Sequence, residues 1–434
     1  MNFSRAEFGQ YPQDWSISTL GEYLEVLTDY HANGAYKKLK ENVELLDEEN
    51  YSIMIRTTNF EQNDFSLKSF KYINEHAYNF LSKTKVYQND ILMNKIANAG
   101  SVYLMPKLNK PVSLAMNLFL IRFNENVIMQ KYAYYFMKNY EAYIKTRAQG
   151  SVTKTITKEN VRKLEIAFPD IEEQTIIVKT LSDIDEKIET NNQINKKLEE
   201  MAQAIFKQWF VDFEFPNEDG EPYKSSGGEM VESEMGMIPS GWKVVSFLDD
   251  IDVLSGGTPK TTVQDYWNGE IPFFTPKDSK NMYCINTEKS LTEMGLNKCN
   301  SKLYDVNTVF ITARGTVGKI SIAGLKMAMN QSCYALIGKN NTNQYFVYFQ
   351  VKKIADELRG KASGSVFDAI VVDTFKVIKI LKPQVKQLEH FKSIMESIFS
   401  TILDKNFENQ RLDCIRNLII PKLMSGEIRV PLNN

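Results

Sequence analysis

The sequence predicts two mixed α/β (α+β) globular domains in tandem. Each is followed by a long α-helix, and the two helices pair as an antiparallel coiled-coil spacer. Three observations predict this: 434 residues suffice for two to four domains, the two halves of the chain resemble each other, and each half ends in a heptad repeat. The predicted segments are a first domain, 1–170; a first long helix, 171–212; an acidic linker, 213–238; a second domain, 239–383; a second long helix, 384–424; and a C-terminal tail, 425–434.

The internal repeat consists of short matches that keep their order along the chain. Gly150-Ser151-Val152 recurs as Gly364-Ser365-Val366, and Ala115-Met116-Asn117 recurs as Ala328-Met329-Asn330. The spacing of about 215 residues is far longer than the 20–50 residues of a solenoid repeat. We therefore expect two domain-sized repeats.

Both predicted long helices carry apolar residues in alternating steps of four and three. This 3.5-residue period is typical of a coiled-coil seam. Asp170 is placed to cap the first helix and Gly426 to end the second. The predicted seam comprises Ile177, Leu181, Ile184, Ile188, Asn191, Leu198 and Trp209 in the first helix, and Phe391, Met395, Ile398, Ile402, Asn409, Leu412 and Leu423 in the second.

Polar residues interrupt the seam at its centre. If the helices overlap fully and antiparallel, Asn191 faces Asn409 and Asn195 faces Lys405. A central polar layer can fix the register and orientation of paired helices. The alternative is that each helix packs on its own domain and leaves these asparagines exposed.

Charge is distributed unevenly, although the whole chain has a net charge of −2. Residues 171–238 carry about −10, whereas 1–170 carry about +2 and 239–383 about +5. Because charges are screened beyond ~8–10 Å, the local field of a basic domain matters more than the total. An acidic isoelectric point therefore does not exclude nucleic-acid binding.

Several classes of protein are excluded by what the sequence lacks. No apolar run approaches ~18 residues, so we expect no transmembrane helix and no membrane partner. The N-terminus lacks the apolar core of a signal peptide, which predicts a cytoplasmic protein. The four cysteines form no CxxC pair and the three histidines lie far apart, so we expect neither a metal site nor disulfides.

Motifs for catalysis are also missing. The segment 315–319, GTVGK, lacks the first glycine and the final Ser or Thr of a phosphate-binding loop. Pro169-Asp170 with Asp185–Lys187 superficially resembles a nuclease signature, but Asp185 and Lys187 should be solvated on a helix. No two prolines are adjacent, so the Asn/Asp-Pro-Pro-aromatic motif of amino-methyltransferases is absent. We expect that the chain catalyses nothing by itself.

A basic stretch is suited to nucleic acid. Residues 131–163 carry eight Lys or Arg against two Glu, with five tyrosines interleaved. Cationic side chains can neutralise phosphates, and hydroxyl groups can donate hydrogen bonds to them. The alternative is a solvated basic helix face whose tyrosines pack inward.

The whole chain resembles the specificity subunit of a Type I restriction-modification enzyme. The resemblance rests on 204–213 (AIFKQWFVDF), 233–242 (SEMGMIPSGW), 256–259 (GGTP), 271–278 (IPFFTPKD) and 314–318 (RGTVG). Gly150-Ser-Val to Pro169, with Glu173-Gln174, resembles the exit of the recognition domain. The first half is more divergent, and Ile55–Asn59 is its clearest early match.

This resemblance implies a mechanism. Each domain is expected to read one half of a split site in double-stranded DNA, and the helix pair is expected to set the gap and dock two methyltransferase subunits. Restriction/translocase subunits would join them. This chain would bind no cofactor, since S-adenosylmethionine, ATP and Mg would belong to the partners. The candidate DNA contacts are Arg56, Thr57, Thr58, Asn59, Lys145, Arg147, Ser151, Lys154, Thr155, Thr275, Lys277, Arg314, Lys319, Lys361, Ser363 and Ser365.

Two other functions are kept open. The chain could be a non-catalytic coiled-coil scaffold without DNA specificity, or a stand-alone DNA-modifying enzyme. The missing catalytic motifs disfavour the enzyme. A scaffold would show no salt-dependent affinity for DNA.

Overall fold

The computed structural model describes residues 3–6, 9–361 and 370–431, with side chains for all of these except residues 3, 4 and 356–361. The chain divides into two compact units. Unit 1 comprises Met1–Glu186 and Leu412–Asn434, and unit 2 comprises Lys187–Arg411. Both long helices therefore contribute residues to both units.

Unit 1 contains short strands arranged in two four-stranded sheets and two strand pairs. The sheet orders are β6-β5-β10-β7 and β4-β11-β8-β9, and the pairs are β1-β2 and β12-β3. The strands are β1 Phe3–Ala6, β2 Gly9–Pro12, β3 Ser16–Thr19, β4 Leu24–Asp29, β5 Ser52–Ile55, β6 Lys71–Ile73, β7 Lys85–Val86, β8 Ile91–Asn94, β9 Val102–Leu104, β10 Val112–Leu114, β11 Leu118–Phe123 and β12 Glu165–Phe168.

The helices of unit 1 are short apart from the one that leaves it. They are α1 Leu20–Tyr23, α2 Tyr36–Asn42, α3 Thr57–Glu61, α4 Glu75–Phe80, α5 Gln130–Asn139, α6 Glu141–Thr146 and α7 Lys158–Arg162, with 3₁₀ turns at Tyr30–Asn33 and Ser82–Thr84. The long helix α8 spans Ile171–Phe210 and has 40 residues. It begins where the Asp170 carboxylate accepts a hydrogen bond from the Glu173 amide at 2.9 Å, so the predicted cap is confirmed.

Unit 2 is built in the same way, with a five-stranded sheet β16-β23-β20-β21-β18, a three-stranded sheet β19-β17-β22 and the pairs β13-β14 and β15-β24. The strands are β13 Met230–Ser233, β14 Gly236–Pro239, β15 Lys243–Ser246, β16 Ile251–Ser255, β17 Trp267–Phe274, β18 Tyr283–Cys284, β19 Lys289–Leu291, β20 Val309–Thr312, β21 Ile320–Ala323, β22 Ala328–Met329, β23 Cys333–Gly338 and β24 Lys379–Lys382.

The helices of unit 2 are α9 Phe247–Asp250, α10 Glu293–Asn297, α11 Gln344–Lys361 and α12 Val372–Lys376, with 3₁₀ turns at Gln264–Tyr266 and Pro276–Asp278. The second long helix, α13, spans Val385–Met424 and also has 40 residues. Just beyond it, Gly426 has φ +70°, a left-handed conformation that suits glycine at a helix end.

The predicted duplication is confirmed by the topology. In unit 1 the central strand β11 lies between β4 and β8, and in unit 2 the central strand β23 lies between β16 and β20. Each unit also has a parallel strand pair, β5 with β10 in unit 1 and β17 with β22 in unit 2. The residues that follow this pair lie at one edge of the unit. The two halves therefore share one fold.

The alignment of the two halves is corrected at one place. The Ala115 amide donates to the Ile55 carbonyl at 3.0 Å, and the residue that makes the same bond to the end of β17 is Asn330, which donates to Phe274 at 2.9 Å. Ala115 therefore matches Asn330 and not Ala328, which lies inside β22. The predicted match of the two Ala-Met-Asn triplets was wrong by two residues.

Each unit buries its own apolar core, and the long helices supply part of it. In unit 1, Ile177, Val178 and Leu181 of α8 pack with Leu423 and Met424 of α13. Each fully buried side chain of this size contributes about 1.5–3 kcal/mol to stability. The helix faces are thus held by burial and not by helix propensity alone.

In unit 2, the end of α8 packs with the start of α13. The ring centroids of Trp209 and Phe391 lie 5.9 Å apart, and Phe206, Phe399 and Ile402 belong to the same cluster. Because late residues of α8 meet early residues of α13, the two segments run antiparallel within this unit. The supercoiling of a coiled coil stays a prediction.

The seam residues divide into buried and half-buried positions. Buried positions are Ile177, Leu181, Asn191, Trp209, Phe391, Met395, Ile398, Ile402, Asn409 and Leu423, and half-buried positions are Ile184, Ile188, Leu198 and Leu412. The predicted polar layer is present: Asn191 Nδ2 donates to Asn409 Oδ1 at 2.8 Å. The alternative of exposed asparagines is therefore wrong in unit 2.

The partner expected for Asn195 was wrong by one residue. Asn195 Nδ2 donates to Asn406 Oδ1 at 3.1 Å, whereas the Lys405 ammonium lies 2.8 Å from Glu408 on its own helix. In the buried layer Asn195 bonds to another neutral amide. Lys405 pairs with Glu408 instead, since an unpaired buried charge is costly.

The region predicted to be an acidic linker is anchored to unit 2. Phe215 is 2% exposed, and its ring lies 4.6 Å from Tyr223 and 5.4 Å from Trp242 between centroids. Ile238 belongs to the same core. The hairpin β13-β14 occupies the last part of the segment. The polar composition of 213–238 did not indicate that aromatic side chains of this segment pack into the core.

Asp185 was expected to be solvated, but it is half-buried and bonded within the protein. Its carboxylate accepts hydrogen bonds from Tyr135 Oη at 2.6 Å and from Arg416 Nη1 at 2.7 Å, both within unit 1. It therefore ties α5 to both long helices in that unit. Lys187, in unit 2, is partly exposed and lies 3.4 Å from Glu408.

Candidate nucleic-acid interface

In unit 1, four segments meet at one edge, which we call edge 1. They are the start of α3 after β5 (56–58), the loop after β8 (95–101), the loop between β10 and β11 (115–117) and the loop that leads out of the domain (147–157). The Lys95 amide donates to the Asn117 carbonyl at 2.8 Å, Ala97 donates to Lys154 at 3.0 Å, and Ile156 donates to Lys95 at 3.0 Å. These backbone bonds fix the loops against one another.

An ion-pair cluster stands at edge 1. The Asp29 carboxylate lies 2.5 Å from Lys95 Nζ and 3.0 Å from Lys158 Nζ. Burial alone would raise the pKa of Asp29, but hydrogen bonds and charge from both lysines hold that pKa below its usual range. Two cations against one carboxylate leave a positive cluster.

The exit loop presents the predicted side chains. Ser151, Lys154 and Thr155 are exposed, and Lys154 has no ion-pair partner in the described ranges. Gly150 has φ +123°, and an added Cβ would lie 2.4 Å from the Thr153 carbonyl oxygen, so only glycine fits this turn. The loop can thus offer hydroxyls and one free cation.

Lys145 and Arg147 already have contacts within the protein. Lys145 Nζ lies 2.7 Å from Glu141, and the Arg147 guanidinium lies 4.9 Å from the centre of the Tyr143 ring. Burial would raise the pKa of Glu141, but bonds from Lys138 and Lys145 lower it. Both predicted residues therefore help to hold α6 in place.

The tyrosines of the basic stretch pack inward. Tyr132 and Tyr135 are buried, and the Tyr132 hydroxyl donates to the Ala167 carbonyl at 2.9 Å. Burial raises the pKa of Tyr134 to about 12. For Tyr132 and Tyr135 the alternative of inward-packing tyrosines is therefore confirmed.

The prediction that Asn59 contacts DNA is corrected. Its side chain is 2% exposed; Oδ1 accepts from the Arg56 amide at 3.0 Å and Nδ2 donates to the Ser69 carbonyl at 3.2 Å. Arg56 is also engaged, since its Nη2 donates to Ser69 at 2.9 Å. Both residues position the loop, and Thr57 and Thr58 face the surface beside them.

A cavity of about 250 Å³ opens beside Thr57 and Thr58. Its other walls include Met54, Met116 and Asn117. Met116 and Asn117 were not predicted as contacts. Their place directly after an apolar strand could have indicated a loop, but the sequence comparison used them only to mark the repeat.

The matching edge of unit 2, edge 2, is built by the same kind of bonds. The Ala313 amide donates to the Ser332 carbonyl at 2.8 Å, and Ile370 donates to the Ala313 carbonyl at 2.9 Å. Gln331, exposed in the loop between β22 and β23, was missed in the same way as Met116.

Arg314 and Lys319 are exposed at edge 2, and within the described residues neither has an ion-pair partner. Gly315 and Gly318 between them have φ +80°, with open space where a Cβ would lie. They permit the turn and leave the two cations free to meet phosphates.

The other candidates in unit 2 are less available. The Thr275 hydroxyl donates to Asp278 at 2.7 Å, which closes the turn after β17. Lys277 is exposed and lies 3.8 Å from Glu288. The side chain of Lys361 and all of Ser363 and Ser365 lie outside the described residues.

Some chemistries find no support in the described part of the chain. It holds no group of three or more His, Cys, Asp or Glu side chains placed to bind a metal ion. Burial raises the pKa of Cys284 and of Cys333 to about 12, so neither is a thiolate at neutral pH. None of the described helices is long and apolar enough to cross a membrane.

Comparison with known proteins gives consistent matches over both units. The family model described as Type I restriction modification DNA specificity domain matches residues 12–200 and 239–413. The chain is 26% identical to the Type I restriction enzyme HindI specificity subunit of Haemophilus influenzae, covering 80% of this chain and 88% of that protein.

Two further similarities extend over nearly the whole chain. The putative Type I restriction enzyme MjaX specificity subunit of Methanocaldococcus jannaschii is 25% identical, covering 99% of this chain and 97% of its own. The solved Type I restriction-modification S subunit from M. genitalium superposes with a TM-score of 0.57 at 17% identity, covering 94% and 96% of the two chains. The last similarity concerns the fold alone.

Proposed function

The chain belongs to the Type I restriction-modification DNA specificity family, with two tandem recognition domains, and we propose that each domain reads one half of a bipartite site in double-stranded DNA. Edge 1 would serve one half-site and edge 2 the other. The observation that carries the proposal is the repetition of the loop edge in both units, with Lys154 free of ion pairs at edge 1 and Arg314 and Lys319 at edge 2 among the described residues.

The binding step follows from the chemistry of the two edges. Lys154 at edge 1, and Arg314 and Lys319 at edge 2, would neutralise phosphates and release counterions. Hydroxyls such as Ser151 and Thr155 would add directed bonds to phosphate oxygens. Phosphate contacts fix position, and bases are read by the side chains between them.

The long helices would act as the spacer. At about 1.5 Å per residue, 40 residues give a helix of roughly 60 Å, which corresponds to between one and two turns of DNA at ~34–36 Å each. The non-specific gap of the site would then be set by helix length. The polar layer at Asn191 and Asn409 would keep the register.

Catalysis would belong to partner subunits. Two methyltransferase subunits would dock on the long helices, carry S-adenosylmethionine and methylate adenine at N6, and restriction/translocase subunits would use ATP and Mg. The chain itself would bind no cofactor and would work in the cytoplasm. The family membership and the lack of catalytic motifs support this division over a stand-alone enzyme.

The test is to co-express the chain with the neighbouring methyltransferase gene and to map methylated adenines genome-wide by single-molecule sequencing. The proposal predicts one bipartite motif with a fixed gap. If the complex forms but no new methylation appears, the proposal fails for this pair and a scaffold without DNA specificity becomes the better reading.

A further inference from the structure

One loop in each unit is held by the same backbone hydrogen bonds but carries different side chains. We call these the triplet loops: residues 115–117 in unit 1 and 330–332 in unit 2. We propose that the second and third residues of each triplet loop set the base identity of the half-site that its unit reads. This inference rests on the proposed function and assigns its specificity to four residues: Met116, Asn117, Gln331 and Ser332.

Three backbone hydrogen bonds hold the triplet loop in each unit. In unit 1, Ala115 N donates to Ile55 at 3.0 Å, Lys95 N donates to the Asn117 carbonyl at 2.8 Å, and Leu118 N donates to Ala115 at 3.4 Å. All three use main-chain atoms. They therefore hold the loop whatever side chains it carries.

The same three bonds recur in unit 2. Asn330 N donates to Phe274 at 2.9 Å, Ala313 N donates to the Ser332 carbonyl at 2.8 Å, and Cys333 N donates to Asn330 at 3.3 Å. A loop whose geometry is independent of its side chains can change what it recognises without disturbing the fold.

The side chains at matching positions differ completely. Met116 stands where unit 2 has Gln331, and Asn117 stands where unit 2 has Ser332. Met116 is 47% exposed, so its thioether is accessible to a ligand at this edge. Asn117 is exposed, and across the described part of the chain its amide has no hydrogen-bond partner.

These side chains suit base edges. An Asn or Gln amide can pair with N6 and N7 of adenine, and an apolar group can contact the thymine methyl. Unit 1 offers an amide and a thioether, and unit 2 offers an amide and a hydroxyl. The Gln331 carbonyl oxygen accepts a hydrogen bond from the Thr258 hydroxyl, which leaves its NH₂ group to donate.

The surroundings separate this role from that of the other edge residues. Lys95 Nζ lies 3.4 Å from the Met116 carbonyl oxygen, and Lys158 shares the Asp29 carboxylate with Lys95. Arg314 and Lys319 lie in the loop bonded to the second. Cations in these places can hold phosphates, which carry no sequence information, whereas the side chains of the triplet loops have the chemistry to meet base edges.

The decisive experiment exchanges the side chains between units. The full chain is co-expressed with its methyltransferase subunit as Met116→Gln/Asn117→Ser, or as the reciprocal Gln331→Met/Ser332→Asn, and methylated motifs are mapped. Each exchange should change or relax one or two base positions in one half-site only. Preference for the original base at those positions should fall roughly 5- to 150-fold. The gap and the other half-site should stay as they are.

Glu125→Gln is the matched control. Glu125 is exposed in the turn beyond β11, which starts after the triplet loop, so one six-residue strand of roughly 20 Å separates them. This variant should leave the motif unchanged. Because all exchanged residues are exposed or half-buried, each purified complex should unfold at the same temperature as the parent. If an exchange lowers the unfolding temperature, the single variant Asn117→Ala is tested in its place.

Three outcomes are decisive. An unchanged motif at an unchanged rate in both exchanges overturns the inference. A uniform fall in methylation at every site, with the same base preference, also overturns it, because that indicates a contact without readout. If the parent complex itself shows no bipartite motif, the proposed function fails, which is a separate result.

Discussion

Asn191 donates a hydrogen bond from Nδ2 to Oδ1 of Asn409 across 2.8 Å, and the two side chains are 0% and 9% exposed. Asn409 in turn donates to Asn192 Oδ1 at 2.9 Å. A buried amide bonds well only at one alignment of the helix segments, so this layer specifies their register within unit 2.

Breaking the layer on one side should destabilise the protein. Asn409→Leu removes the buried acceptor of the Asn191 amide and leaves it only the Glu408 carboxylate, so we expect a loss of about 1–3 kcal/mol in the free energy of unfolding. Asn191→Leu/Asn409→Leu removes both amides and should recover most of this loss. Urea denaturation of the parent, both single variants and the double variant gives the comparison. Equal losses in the single and double variants would contradict the role of the layer.

Asp29 should make unit 1 sensitive to acid. Its pKa is lowered in the folded chain, so its contribution is complete above its unfolded pKa of ~3.9 and is lost as pH falls through the lower folded value. Asp29→Asn should cost about 3 kcal/mol at neutral pH, because two lysines lose their counter-charge. The difference from the parent, followed by urea denaturation, should shrink as the pH falls from neutral through the folded pKa of Asp29. A difference that does not change with acidification would refute the assignment.

The free cations of edge 2 should appear in the salt dependence of DNA binding. Arg314→Ala should reduce the slope of log K against log salt by ~0.9 if the guanidinium meets one phosphate. Lys326→Ala is the control, since Lys326 is 3.0 Å from Asp305 at the opposite end of β20. Binding of the methyltransferase complex to a duplex at several salt concentrations measures both. Equal slopes for the parent and Arg314→Ala would remove Arg314 from the phosphate contacts.

Shortening both helices should shorten the gap. Residues 189–195 of α8 and 405–411 of α13 face each other in unit 2, as the bonds at Asn191 and Asn195 indicate. Deleting both heptads removes roughly 10 Å of helix, which corresponds to about three base pairs. Motif mapping should show the same half-sites with a shorter gap. Altered half-site bases with an unchanged gap would exclude the spacer role.

The sequence predicted the larger features because they rest on repetition. The duplication, both helices and the contact of Asn191 with Asn409 follow from patterns that recur over many residues. The two-residue error at Ala115 has a physical cause: side chains two apart in a strand share a face, so a shift by two preserves the apolar pattern.

The finer features of the edges depend on contacts that a sequence does not display. Arg56 and Asn59 have the chemistry of base-reading residues, but the fold uses them to bond Ser69. Met116 and Gln331 became candidates for base contacts only when the backbone hydrogen bonds of the two triplet loops could be compared. Exposure and hydrogen-bond partners decided these roles, and residue type alone did not.

The central claim is that each unit reads one half-site independently. The most direct test replaces residues 239–383 with the corresponding segment of a homologous specificity subunit and maps methylated adenines in the complex with the methyltransferase. One half-site of the resulting motif should be new, while the other half-site and the gap should be those of the parent. A change in both half-sites, or no change in either, would contradict it.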